Sequence, residues 1–245
     1  MVIPAFNEES SVGAIVDRLH DVVPQLDVLV VDDGSRDDTV TIARQHGARV
    51  VSHVFNMGYG AALQTGYKFA DRQGYAFVVQ IDADGQHDPA DIPALLGPVL
   101  AGAADVVIGS RFVHPSGYHM GLARSAARRF FARLLVACGG PRIWDPTSGF
   151  QALARPVFRF CCTDAFPADF PDVDVLLLYH RQGFRMTEVP VAMAPNRPGH
   201  VPLHSGLHAV YYPYKMLLAT FRSLLTPRRP LAPDHQEAHH GSQPA

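Results

Sequence analysis

Hydrophobic and polar positions alternate in blocks along the first hundred residues. Val28 to Val31 is wholly apolar, Phe77 to Ile81 is apolar but for one Gln, and Asp105 to Ile108 is apolar after its leading acid. Short uniform runs of this kind suit strands buried on both faces of a parallel sheet. Between them the spacing turns helical. Val12, Ile15, Val16 and Leu19 form one stripe of a helix over about 11–20, as a period of 3.6 requires. Val2-Ile3-Pro4 reads as the end of a first strand, 49–53 as a third, and Gly47 closes the helix before it. A further helix opens at Asn56-Met57-Gly58-Tyr59-Gly60-Ala61-Ala62, and another spans 91–100. This βαβα series predicts an α/β fold with a mostly parallel, doubly wound sheet and peripheral amphipathic helices.

The second half is less regular. Residues 120–138 have helical spacing, with Arg124, Arg128, Arg129 and Arg133 on one half of the wheel. Ala126, Phe130, Phe131, Leu134 and Cys138 fall on the other half, with Leu122 and Leu135 as exceptions. A basic amphipathic helix suits an anionic membrane surface or a phosphorylated ligand, and equally a surface helix packing its Phe stripe on the core. Asp145 to Phe150 is a turn-rich loop and 184–191 has strand character. One globular domain over 1–225 is expected, with 201–225 as an interfacial helical segment and 226–245 as a disordered tail.

Composition narrows the partners. A formal net charge of −2 gives no global pull toward nucleic acid, so none is expected as a partner. Cys138, Cys161 and Cys162 lack metal-ligand spacing, which favours a reduced, cytoplasmic setting. Met1-Val2-Ile3-Pro4 has no charged or long apolar leader, and its brevity for a first strand suggests a start placed a few residues late. No stretch reaches the roughly 18 uncharged apolar residues of a membrane span.

Chemistry gathers where the apolar runs stop. Asp32-Asp33 follows one and Asp82-Ala83-Asp84-Gly85-Gln86-His87-Asp88-Pro89 follows another. Ligands of wound sheets bind outside the carboxyl ends of the strands. On extended backbone, positions i and i+2 point one way, so Asp82 and Asp84 are expected to converge. Two close carboxylates call for a cation, and hard oxygen ligands suit Mg²⁺ or Mn²⁺ carrying a diphosphate. The competing reading is a solvated Asp-rich turn. His200, His204 and His208 recur every fourth residue, but Pro202 interrupts them and no acid completes a metal set. Trp144 reads as core or loop packing, and His87 as helix-entry packing beside the acids.

Five blocks in this order resemble the family-2 glycosyltransferases of GT-A fold, in the branch like dolichol-phosphate mannosyltransferases. They are Val2 to Glu9, Val30 to Thr39, Asn56 to Ala61, Asp82 to Pro89 and Asp145 to Phe150. The resemblance implies a metal-dependent, inverting transfer of a hexosyl group, mannose or glucose first, from GDP- or UDP-hexose to a polyprenyl or dolichyl phosphate. It places Pro4, Phe6, Glu8, Asp33, Gly58 and Asp82 at the nucleotide sugar, and Asp82, Asp84 and Gln86 at the Mg²⁺ or Mn²⁺. Asp84, Arg111 and Asp145 are the implied catalytic groups, and Arg124, Arg128 and Arg197 the holders of the acceptor phosphate. Ala127 stands where some members carry Ser, and 197–201 departs from the usual Arg-x-x-Gly-x-Ser pattern. Peripheral contact with the cytoplasmic face of a membrane follows, with room for a membrane-protein partner. Two alternatives remain open: a soluble family-2 enzyme using a hydroxyl acceptor with Asp145 as base, and a non-catalytic nucleotide-sugar-binding module.

Overall fold

The computed structural model describes residues 1–113, 122–167, 171–194, 218 and 223. Seven strands form one sheet: β1 (Val2–Ala5), β2 (Leu29–Asp32), β3 (Arg49–Ser52), β4 (Phe77–Gln80), β5 (Val106–Ser110), β6 (Gln151–Ala154) and β7 (Met186–Pro190). The helices are α1 (Val12–Val22), α2 (Thr39–Gln45), α3 (Tyr59–Arg72), α4 (Ile92–Leu100), α5 (Leu122–Ala137), α6 (Arg155–Cys161) and α7 (Val173–Arg181). Strand order is β3-β2-β1-β4-β6-β5-β7. β6 runs antiparallel to β4 and β5, while the other pairings are parallel.

Period-2 alternation sorts the apolar strands into two cores, one on each face of the sheet. Val2, Leu29, Val31, Val78, Val106 and Leu153 enter the core shared with Phe131, Phe158 and Leu177. Ile3, Val30, Val79, Val107 and Ala152 enter the core shared with Val16, Leu19 and Leu95. Covering both faces is what makes these strands uniformly apolar. No helix among the described residues is long and apolar enough to cross a membrane.

Three expectations shift. β4 stops at Gln80, and Ala83 and Asp84 lie in a turn rather than on extended backbone. In α5 the buried stripe runs through Phe131 and Leu135, while Phe130 is 50% exposed. Residues four apart sit about 40° apart on the wheel, so Phe131 and Leu135 define the seam and Phe130 falls off its edge. Trp144 is 46% exposed, not core, because its ring lies under Arg142 with the guanidinium 4.6 Å from the centroid. The expected segments 201–225 and 226–245, and the His200, His204 and His208 series, lie outside the described residues apart from 218 and 223.

Candidate active site

The tips of β1 and β2 are stitched together by side chains capping backbone N–H groups. Asn7 Oδ1 accepts from Arg36 N at 2.9 Å while Asn7 N donates to Ser35 Oγ at 2.9 Å. Asn7 carries φ of 57°, the left-handed region that Asn tolerates. Asp32 Oδ1 accepts from Ser35 N, and Glu8 N donates to Thr39 Oγ1. A cleft of about 420 Å³ opens here, with Phe6, Asp32, Arg36, His53 and Asn56 in its lining. Of the residues implied at the nucleotide, Phe6 lines this cleft; Pro4 is buried within β1. Asp33 turns away from it. Its carboxylate accepts from Met57 N and Gly58 N at 2.8 Å each and meets His53 Nδ1 at 2.7 Å. Gly58 takes a φ of 100°, which a side chain would strain, and so caps α3 with its N–H on Asp33.

The metal-site candidates follow β4. Asp82 Oδ1 accepts from the Tyr59 hydroxyl at 2.7 Å, and Asp82 has no ion-pair partner among the described residues. Burial raises its pKa above the ordinary carboxylate range; the Tyr59 bond and the charge of Arg111 oppose that rise, and Glu8 adds to it. A Cβ on Gly149 would stand 2.8 Å from Asp82 Oδ2, so only glycine leaves this carboxylate its place. Asp84 Oδ1 accepts from Gln86 N at 2.9 Å. Among the described residues no three His, Cys, Asp or Glu side chains form a ready cage for a cation. That suits Mg²⁺ or Mn²⁺ chemistry, in which one or two carboxylates and the substrate's phosphates share the ion. A half-buried acid with a raised pKa and no ion-pair partner among the described residues is what such an ion would compensate.

Across the sheet lies a cationic group. Arg111 is 8% exposed and Asp145 0% exposed. Arg111 Nε and Nη2 donate to Asp145 Oδ2 and Oδ1 at 2.6 Å each, and Arg111 N donates to Oδ2 at 3.1 Å. Both carboxylate oxygens are therefore occupied by one fork. Arg128 lies over the Phe112 ring at 4.0 Å and donates Nη1 to Trp144 O at 2.5 Å, while its buried Nε has no hydrogen-bond partner among the described residues. Burial lowers the Arg128 pKa and Arg129 and Arg111 push the same way, against the opposing charges of Asp145 and Glu188. Arg124 lies in α5 with its side chain outside the described residues, and Arg197 lies outside them altogether.

Four residues escaped the sequence reading. Tyr59 is one; its hydroxyl is close enough to Asp82 and Asp172 for both to raise its pKa further beyond the effect of burial. Asp172 and Asp174 begin α7, and burial lifts the Asp174 pKa to about 7. Their only sequence signal is two acids spaced i, i+2 before an apolar helix. Glu188 on β7 accepts from Trp144 N and Asp145 N at 2.8 and 2.9 Å, pairings no local pattern shows. His87 is buried against Phe150, ring centroids 4.9 Å apart, and its imidazole pKa falls to about 4 through burial. The expected packing role of His87 is thus present, but with Asp84, Arg111 and Asp145 all within electrostatic reach.

A wound α/β sheet with a buried acid and paired guanidiniums outside its strand ends defines an enzyme for anionic substrates. The chain belongs to glycosyl transferase family 2, whose model matches residues 1–160, and it is a glycosyltransferase. It is 33% identical over 213 residues to a polyprenol monophosphomannose synthase of Mycolicibacterium smegmatis, covering 81% of this chain and 78% of that one. An undecaprenyl-phosphate mannosyltransferase of Micrococcus luteus is 32% identical over 218 residues, covering 84% and 87%. Among solved structures, glucosyl-3-phosphoglycerate synthase of Mycobacterium tuberculosis in complex with Mn²⁺ and UDP-glucose superposes with a TM-score of 0.68. It is 26% identical, over 92% of this chain and 78% of that one.

Proposed function

We propose that this enzyme moves a hexosyl group from a nucleotide sugar to a polyprenyl phosphate at a membrane surface, with inversion at the anomeric carbon. Mannose is the first sugar to test, since two relatives are named for mannosyl transfer to polyprenyl carriers. Asp82 and Asp84 would hold a Mg²⁺ or Mn²⁺, whose chemistry is to neutralise charge developing on the departing diphosphate. The Mn²⁺ and UDP-glucose in a solved neighbour support that assignment.

The observation that carries the reading is the state of Asp145. Arg111 takes three of its roughly four lone-pair sites and the Asp145 side chain is fully buried, so it serves to orient a cation rather than to meet an acceptor hydroxyl. A phosphate monoester needs no base there, because with a second pKa near 6 it is already largely ionised at pH 7. Arg111 and Arg128 would hold and aim that acceptor phosphate, and Arg124 and Arg197 are proposed beside them. Exposed Phe130 and Val136 on α5, interleaved with exposed Arg129 and Arg133, suit the surface of an anionic bilayer. The cytoplasmic face and a membrane-protein partner belong to the same proposal.

The test is incubation of labelled GDP- and UDP-hexoses with polyprenyl phosphate and Mn²⁺. A labelled lipid product with at least one donor is expected, abolished in Asp84→Ala. Donor turnover only with water-soluble acceptors would overturn the acceptor assignment.

A further inference from the structure

Glu188 lies outside every motif of the family resemblance, yet it binds the backbone of a residue that supports each of the two described arginines. It sits on β7 opposite Ile108, two positions before the Ser110–Pro190 pairing. Its carboxylate meets three groups. Oε1 accepts from Asp145 N at 2.9 Å, and the Asp145 side chain holds Arg111. Oε2 accepts from Trp144 N at 2.8 Å, and the Trp144 carbonyl holds Arg128. The Ser110 hydroxyl lies near the same carboxylate and favours its charged form. Ser110 Oγ in turn accepts from Phe112 N at 3.4 Å, and the Phe112 ring faces both guanidiniums, at 5.5 Å and 4.0 Å.

Each of these bonds needs an acceptor, and only a carboxylate offers two oxygens with no competing N–H. The partners approach from 43 and 44 residues away in the chain, so no local turn could hold them. Two guanidiniums near one ring repel each other; Asp145 forms its ion pair with Arg111, while the charges of Asp145 and Glu188 both favour the charged form of Arg128. Without a fixed 144–145 backbone, nothing in this arrangement would set the distance between them.

We propose that Glu188 is a positioning residue for the acceptor side of the site: it fixes the spacing of Arg111 and Arg128, and so the affinity for a prenyl-linked phosphate, without touching substrate. This rests on the reading above that these arginines take the acceptor phosphate. Outer supports of this kind commonly govern about 10–100-fold in affinity or activity.

The test compares wild type, Glu188→Gln and Ser110→Ala as full chains. Glutamine keeps one acceptor oxygen and turns an N–H toward a backbone donor; alanine at 110 removes the hydroxyl beside Glu188 together with the acceptor for Phe112 N. Binding of farnesyl phosphate is measured by titration calorimetry, and KM for donor and for polyprenyl phosphate by turnover. Expected is an acceptor KM and a farnesyl phosphate Kd both raised about tenfold or more in Glu188→Gln, with donor KM unchanged. Ser110→Ala should move the same two constants by a smaller factor. Wild-type acceptor affinity in both variants overturns the proposal, as does equal loss of donor and acceptor affinity in a folded Glu188→Gln. Should that variant not fold, Ser110→Ala decides alone. Wild type failing to bind farnesyl phosphate is a separate result, and it removes the acceptor reading itself.

Discussion

The two sides of the sheet hold their charges differently. On the β3-β2-β1-β4 side, acids serve mainly as acceptors for backbone N–H groups: Asp33 for 57 and 58, Asp37 for Glu9, Asp84 for Gln86. On the β6-β5-β7 side, one buried ion pair and one shared carboxylate position two guanidiniums. The first side presents an acid, Asp82, with no ion-pair partner among the described residues. The second presents a cation, Arg128, whose Nε has no hydrogen-bond partner among them. Polar groups left without a direct partner inside a protein are candidates for a ligand of opposite sign. On the function proposed above, the site divides into a cation-seeking donor side and an anion-seeking acceptor side, and substitutions should affect one without the other.

The harshest trial of that division is Asp145→Asn. Asparagine offers the fork one oxygen and no charge, and turns an NH₂ toward the other arm of the guanidinium, leaving Arg111 buried without its counter-ion. Breaking a buried pair in this way costs about 3–5 kcal/mol, so a large drop in melting temperature is expected. Acceptor KM should climb steeply while donor binding persists. The opposite pattern, unaltered stability and acceptor affinity with turnover gone, would make Asp145 the base of a hydroxyl-acceptor enzyme.

Tyr59→Phe attacks the other side more gently. It deletes the 2.7 Å bond that orients Asp82 and leaves the apolar ring in its buried place. The Mn²⁺ concentration for half-maximal activity, and the Mn²⁺ Kd read by electron paramagnetic resonance, should both rise about tenfold. Acceptor KM should not move. If Mn²⁺ affinity holds while acceptor affinity falls, the boundary between the two sides has been drawn in the wrong place.

This division also explains what could be read from the chain. The donor side was legible because strand, acid and helix follow one another within a dozen residues, as in Phe77 to Asp88. Even there the i, i+2 argument relied on extended backbone that ends at Gln80. Asp33 was legible as a strand-tip acid but not as the staple of the 57–58 backbone, since that pairing depends on how the β3–α3 loop folds back. The acceptor side was mostly hidden. β6 is four residues of Gln, Ala and Leu whose strand state comes from its neighbours β4 and β5, not from its own pattern. The Arg111–Asp145 pair spans 34 residues, and Glu188 reaches back 43 and 44. Such partnerships are products of sheet order, which periodicity does not encode.

The effect expected to leave substrate constants least changed lies beneath the donor side, at the start of α7. Asp174 is 1% exposed and accepts from Asp172 N at 3.1 Å, with burial first and the Asp172 charge second in raising its pKa to about 7. Its unfolded value lies near 3.9. Between these two pH values the folded chain keeps a proton that the unfolded chain releases, so stability declines as pH rises through that window. Below about pH 4 both states are protonated and the penalty vanishes; above about pH 7 it is complete. Asparagine retains the acceptor for Asp172 N and carries no charge to bury. Asp174→Asn should therefore melt higher than wild type at pH 8, by about 2–4 °C for each kcal/mol released, with the gap closing toward pH 4. A gain of equal size at both pH values would show that packing, not ionisation, distinguishes the two side chains. Asp174 would then be an acid whose charge is compensated in the fold, and α7 would belong to the charged machinery of the site.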